Sequence, residues 1–280
     1  ADEARRIQVV NDESGSRLEV DGKPLMLRGV NWDYSPVGTN YNYSLWERPE
    51  TEIKAALDHE MSLLKAGRVN VIRVYSGIPA KWIRYIYETH GIYTVLNHTV
   101  GRYGMTIDNV WHPILDYSDA HTRAVLREEI GALVESMKGT PGLLMWLLGN
   151  ENNYGLEWEN AAIANLPVAQ KQDARAVALY SLFGEVISDI KQRDPAHPVA
   201  MANGDLQFID LIAQRRKRLS SSIVHAVRGQ SHRSSDPKCA PMGSQGTSAH
   251  ARADWAPALV DLRGCAAEQA ERATARSARG

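Results

Sequence analysis

Residues 143–149 run Leu-Leu-Met-Trp-Leu-Leu-Gly without one ionisable side chain, and the chain then turns to Asn150, Glu151, Asn152 and Asn153. A solid apolar run of that length, bounded by turn chemistry, is the pattern of a strand covered on both faces. Such a strand delivers Glu151 to a polar rim. Upstream, residues 18–27 alternate about Asp21-Gly22, a strong short-range hairpin signal, and lead into a short strand over 28–32. Residues 52–65 place Ile53, Ala56, Leu57, Met61 and Leu64 on one helical stripe. The pattern then predicts strands at 69–75, 92–97, 143–149 and 198–203. Between and after them it predicts helices at 80–89, 119–137 and 173–193, and a short helical piece at 206–214.

Strict strand and helix alternation argues a parallel α/β architecture. Trp32, Arg73, His98, Glu151 and Asn203 all fall at or near the carboxyl ends of predicted strands. In α/β barrels the active site is built at that end, so the reading is a barrel with Glu151 in its site.

Composition adds bounds. With 280 residues, 44% apolar and 23% charged, the chain can bury one barrel-sized core. A net charge of −1 gives no bulk attraction for nucleic acid or anionic membrane. No apolar stretch approaches the ~20 residues that span a bilayer, so a soluble protein is expected. Residues 1–6 lack the apolar core of a signal peptide, and Cys239 and Cys265 are too few for a disulfide framework, so compartment stays open. His98, His112 and His121 match no short metal-ligand spacing, and no Gly-rich phosphate loop follows the first strand, so neither metal nor cofactor is expected.

Three segments together carry a resemblance: Asp21-Gly-Lys-Pro-Leu-Met-Leu-Arg-Gly-Val-Asn31, the strand holding Asn70, Ile72 and Arg73, and Trp146-Leu-Leu-Gly-Asn-Glu151. They look like the catalytic barrel of family 2 glycoside hydrolases and, more broadly, the retaining glycosidases with paired glutamates on strands four and seven. The resemblance implies a (β/α)8 TIM barrel and assigns Glu151 as general acid/base. Such a residue protonates the leaving oxygen and then serves as base toward water. It also implies that Asn150 bonds the sugar 2-hydroxyl and that Arg73 keeps a carboxylate nucleophile ionised. By the same likeness His98, Asn31 and Trp32 contact substrate.

Aromatic residues gather in or beside the loops after strands: Trp32, Tyr34, Tyr41, Tyr43, Trp46, Tyr103, Trp111, Tyr154 and Trp158. Aromatic faces suit the C–H faces of sugars, while Asn152, Asn153 and Glu157 suit their hydroxyls. A carbohydrate is therefore the expected partner.

The last quarter departs from the resemblance. A retaining mechanism needs a second carboxylate ~5–5.5 Å from the first. After residue 214 no apolar strand ending in Glu appears, and Glu268 and Glu271 sit in a polar stretch. All eleven Tyr and both Phe precede Arg215, whereas 215–280 is crowded with Arg, Ser, Ala and Gly. That composition fits a disordered tail or, the preferred reading, translation in a shifted frame. The organisation read from sequence is thus a lead-in over 1–17, a barrel segment over 18–214 that is incomplete or corrupted after its fifth strand, and an atypical tail over 215–280. The expected function is a retaining hydrolase of β-linked glycosides or oligosaccharides with an unassigned nucleophile. The alternatives are a transglycosylase using the same site, and a catalytically dead carbohydrate-binding barrel.

Overall fold

The structure is a computed structural model and describes residues 6–39 and 43–203. The helical piece at 206–214, the segment 215–280 and Tyr41 lie outside the described residues.

Five strands make one parallel sheet in the order β10-β9-β6-β5-β4. They are β4 (Gly29–Asn31), β5 (Val71–Tyr75), β6 (Tyr93–His98), β9 (Leu143–Leu148) and β10 (Val199–Met201). Between consecutive sheet strands come α1 (Glu50–Ala66), α2 (Ala80–His90), α3 (Ala120–Met137) and α4 (Val168–Arg193). The predicted parallel α/β alternation is therefore present. Of the expected eight strands of a closed barrel, the described residues supply these five.

Period-two alternation sorts the strand residues between two layers, interrupted on β9 by the register shift opposite Thr94 and Val95, where Leu144 and Met145 share a face. Ile72, Val74, Leu96, Trp146, Leu148 and Val199 face the helices and share a core with Leu57, Met61, Ile83, Leu126 and Phe183. Val71, Val95, Leu144, Met145, Leu147, Ala200 and Ala202 form the other face, where they meet Ile7 and Val20. Those two residues come from a three-stranded antiparallel sheet of β1 (Ile7–Asp12), β2 (Gly15–Val20) and β3 (Lys23–Pro24). The Asp21-Gly22 hairpin is where the alternation predicts it, with positive φ at both residues. The stretch read as a lead-in nevertheless carries β1 and the start of β2. Its side chains are half polar, so its pattern does not announce a strand, although Ile7–Asp12 pairs antiparallel with Gly15–Val20 along its whole length.

Two more elements escape the pattern. A hairpin of β7 (Met105–Ile107) and β8 (Val110–His112) rises from the loop after β6 about an Asp108-Asn109 turn. Both turn residues have positive φ, 51° and 64°, which is the two-residue geometry that matches strand twist. Helix α4 begins five residues before the predicted start, at Val168, directly after Pro167. Proline closes a helix start without losing a needed donor.

The α3 and α4 helices are held by polar staples as well as apolar packing. Arg123 donates to the Tyr117 and Ala178 carbonyls, and Arg127 pairs with Asp189 at 2.7 Å. At the opposite end of the sheet from Glu151, buried Asp194 accepts from the Trp146 indole N–H at 2.9 Å and from His197 Nδ1 at 2.8 Å. That trio ties α4 to β9 and to the approach of β10.

Candidate active site

Arg73, on β5, points into the face opposite the helices and is 2% exposed. Its Nε donates to Asn97 Oδ1 at 2.6 Å, and its Nη2 reaches both Asn97 Oδ1 and Asn150 Oδ1, the latter at 2.8 Å. Asn97, on β6, in turn donates through Nδ2 to the Leu147 and Gly149 carbonyls at 3.1 and 2.9 Å. The hydroxyl of Tyr75 adds a bond to Asn150 Oδ1 at 3.3 Å, and Asn150 Nδ2 donates to the Tyr103 hydroxyl. Three neighbouring strands thus converge on the residue before Glu151. Burial lowers the pKa of the Arg73 guanidinium from its usual value, while Tyr75, Tyr103 and Glu151 act in the opposite sense. A buried cation held by two amide oxygens and lying over the Tyr75 ring keeps its charge directed at this one end of the sheet.

Glu151 itself adopts the left-handed conformation, φ 59° and ψ 38°. For a non-glycine residue that costs roughly 1 kcal/mol and persists only where the surroundings fix it. Here they do: its N–H donates to the Ala202 carbonyl at 2.9 Å, just past β10, and its carbonyl accepts from Tyr154 N at 3.0 Å and Arg102 Nε at 3.1 Å. Gly155 leaves room for that arginine, since a Cβ there would lie 2.8 Å from Arg102 Nη1.

Asn31 is paired in register with Arg73 and so shares its face of the sheet. Its buried Oδ1 has no hydrogen-bond partner among the described residues. Asn150, Glu151, Arg73 and Asn31 are therefore brought to one sheet end, with Tyr154 half exposed beside them.

Other expected contacts are not brought there, and for His98 and Trp32 strand parity gives the reason. His98 follows inward-facing Asn97 and must point to the helices. Its Nδ1 accepts from Val100 N at 3.1 Å and its Nε2 faces Glu129 of α3 at 3.2 Å, which holds the Glu129 carboxyl below its usual pKa. Trp32 follows Asn31 and is likewise buried in the helix-side core, 6.2 Å from the Trp46 ring. Trp158 packs edge-on against Tyr117 at 5.4 Å and is 6% exposed. Asn152, expected to meet sugar hydroxyls, is instead a buried brace. Its Oδ1 accepts from Asn150 N at 2.7 Å, and its Nδ2 reaches the Thr99 and Val100 carbonyls and the Tyr117 hydroxyl. Burial pushes the Tyr117 phenol up to about 12, eased by the Asn152 bond and by Arg102. Asn153 is also buried, at 4% exposure.

Sequence reading missed Asn97, Arg102 and Tyr75. For Asn97 a signal was available: it lies two residues beyond inward Val95 in an otherwise apolar strand. Among the described residues no three His, Cys, Asp or Glu side chains gather as a metal site requires, and no helix is long and apolar enough to cross a membrane.

No protein-family profile matches the chain. The chain is 28% identical over 236 residues to a beta-galactosidase of Oenococcus oeni, covering 81% of this chain and 18% of that one. It is 23% identical over 225 residues to a beta-galactosidase of Vibrio cholerae, covering 75% of this chain and 20% of the relative. Among solved structures, beta-glucuronidase 2 of Bacteroides uniformis superposes with a TM-score of 0.50 at 15% identity, over 74% of this chain and 21% of that chain. At that identity the likeness is one of fold. The chain spans about one fifth of the length of these relatives.

Proposed function

We propose that this chain carries the first part of a family 2-like (β/α)8 barrel of a retaining glycoside hydrolase that acts on β-linked glycosides or oligosaccharides. Glu151 is the general acid/base. The observation that supports this most directly is that Arg73 and Asn97, from two neighbouring strands and bonded to each other, hold Asn150 and Gly149, which lead directly into Glu151. Likeness to beta-galactosidases over most of the chain supports the same reading.

In the first step the Glu151 carboxyl gives its proton to the glycosidic oxygen while a second carboxylate attacks the anomeric carbon and the C–O bond breaks. In the second step the Glu151 carboxylate takes a proton from water, the water oxygen bonds to the anomeric carbon, and the second carboxylate leaves. Asn150 and Asn31 offer amide groups to sugar hydroxyls, and Arg73 stabilises negative charge on the opposing carboxylate. That nucleophile is not assigned.

Turnover of aryl β-galactosides and β-glucuronides by the full chain, with Glu151→Gln as control, tests the reading. Turnover that Glu151→Gln abolishes for poor leaving groups supports it. Turnover indifferent to that substitution, or none for either glycoside class, sinks it.

A further inference from the structure

We infer that His98 is a positioning residue for Glu151: its Nδ1 holds the turn after β6 in a strained conformation, and that turn grips the backbone on both sides of the Asn150–Glu151 peptide. The inference rests on the assignment of Glu151 as acid/base. Val100 is the observation that leads to it. This β-branched residue is fully buried and has φ of 52°, which crowds its Cβ against the backbone and is an outlier for its type. Such strain persists only where the surroundings fix it, and it gathers at functional sites. One fixing contact is the Val100 N–H, which donates to His98 Nδ1 at 3.1 Å. A ring nitrogen accepts only when it carries no proton, so the proton of the neutral imidazole sits on Nε2, 3.2 Å from Glu129 Oε1 on α3. The carboxylate can only accept, and so selects the same tautomer. Glu129 is half exposed and keeps water on one side, whereas the ring between it and the turn is buried.

From the turn, two arms reach the site. The Thr99 and Val100 carbonyls accept from Asn152 Nδ2 at 3.1 and 3.2 Å, and Asn152 Oδ1 accepts the Asn150 N–H at 2.7 Å. The Tyr117 hydroxyl adds a bond to the Val100 carbonyl at 2.8 Å. On the other arm the Arg102 N–H donates to the Thr99 carbonyl at 3.2 Å, and its Nε donates to the Glu151 carbonyl at 3.1 Å. Glu151 is left-handed like Val100, so two strained residues are locked against each other through Asn152 and Arg102. Relaxing Val100 would rotate the peptides on either side of it and withdraw both carbonyls from Asn152. Without the acceptor at His98 Nδ1, a buried N–H is left unpaired and the strained turn loses the bond that holds it.

Two substitutions separate the ring nitrogens. His98→Asn keeps an acceptor at the place of Nδ1 and loses the group that reaches Glu129, whereas His98→Gln keeps the reach to Glu129 and loses the acceptor. With an aryl β-galactoside of basic leaving group, kcat is expected to fall on the order of tenfold in His98→Gln with KM little changed, and to return most of the way in His98→Asn. NMR of the isotope-labelled full chain is expected to show His98 protonated on Nε2, and the Asn150 and Glu151 amide signals displaced in His98→Gln but held in His98→Asn. Near-UV circular dichroism checks that both variants fold, and the tautomer is read without any variant. A proton on Nδ1 of the unsubstituted chain, variants that move the two amide signals equally or not at all, or equal loss of turnover in both overturns the inference. An unsubstituted chain that turns over no aryl glycoside, with the amide signals following the expected pattern, would leave the positioning standing and sink the catalytic reading of Glu151 instead.

Discussion

The Arg73 guanidinium crosses from β5 to donate to Asn150 Oδ1 at 2.8 Å, and Asn97 stands between them as the acceptor that shares the same cation. The bond links a buried charge to the residue that aims Glu151. Removing Asn97 leaves that charge with fewer acceptors in a dry site. Loss of one partner in such a pair costs about 1–3 kcal/mol. Asn97→Ala is therefore expected to lower the urea unfolding free energy by about that amount and to weaken sugar binding, because Asn150 loses its fixed neighbour. Asn97→Asp, which keeps an acceptor, should be milder in stability. Equal losses for both substitutions would show that the amide N–H bonds to the Leu147 and Gly149 carbonyls dominate instead.

In the proposed mechanism Glu151 acts through a proton, so the effect of its loss should depend on the leaving group. For an aryl β-glycoside with a basic leaving group, Glu151→Gln is expected to reduce kcat/KM by ~10²–10⁴-fold. With a dinitrophenolate, which departs without protonation, the first step is expected to persist and the second to stall. Added azide then replaces the water that Glu151 no longer activates, and product analysis should show a glycosyl azide. Uniform loss across leaving groups, with no azide adduct, would assign Glu151 another role.

How much of this was legible in the sequence follows from what a strand pattern encodes. The run Leu143–Leu148 announces a buried strand because all six of its residues are buried. Glu151 and Asn150 are legible because polarity appears at its carboxyl end. Face, however, is set by parity, and parity separates neighbours: Asn31 from Trp32, Asn97 from His98. Reading Asn31 and Trp32 together into the site, and His98 in place of Asn97, misplaced Trp32 and His98, which parity turns toward the helices. The β7–β8 hairpin was missed because its strands are three residues long, below the length at which alternation can be told from chance. The brace role of Asn152 depends on contacts more than thirty residues distant in sequence, with Val100 and Tyr117.

Asp194 gives the fold an acid limit. Its carboxyl is buried, which raises its pKa, but the bonds from His197, Trp146 and the Ala196 N–H outweigh burial and leave it below the ordinary value. A carboxyl that is more acidic folded than unfolded contributes stability above the unfolded value of about 3.9, and that contribution is lost as pH falls toward the folded value. Urea midpoints followed by tryptophan fluorescence are therefore expected to hold from about pH 6 to 5 and to drop between about pH 4 and 3. Asp194→Asn should be less stable at pH 6 and show a shallower acid drop. An unchanged acid drop in that variant would place the sensitivity in other carboxylates.

Gly149 joins the end of β9 to Asn150 with φ at 79°, and a Cβ there would lie 2.7 Å from Asn152 Oδ1 and 3.0 Å from Phe183 Cζ. Asn152 Oδ1 is the acceptor for the Asn150 N–H, so the collision falls on the brace of the site. The backbone on either side cannot give way freely: Gly149 N–H donates to the His98 carbonyl at 2.7 Å, and its carbonyl accepts from Asn97 at 2.9 Å. Gly149→Ala combines left-handed strain with this clash and is expected to cost about 1–3 kcal/mol. Because the displaced atoms orient Asn150, sugar affinity should fall as well. Gly139→Ala provides the comparison: its φ is 73°, but nothing lies within 4 Å of the added Cβ. It should lose stability from backbone strain alone and leave sugar binding intact. If calorimetry finds the two variants equally impaired in binding, the close approach at Gly149 does not position the site.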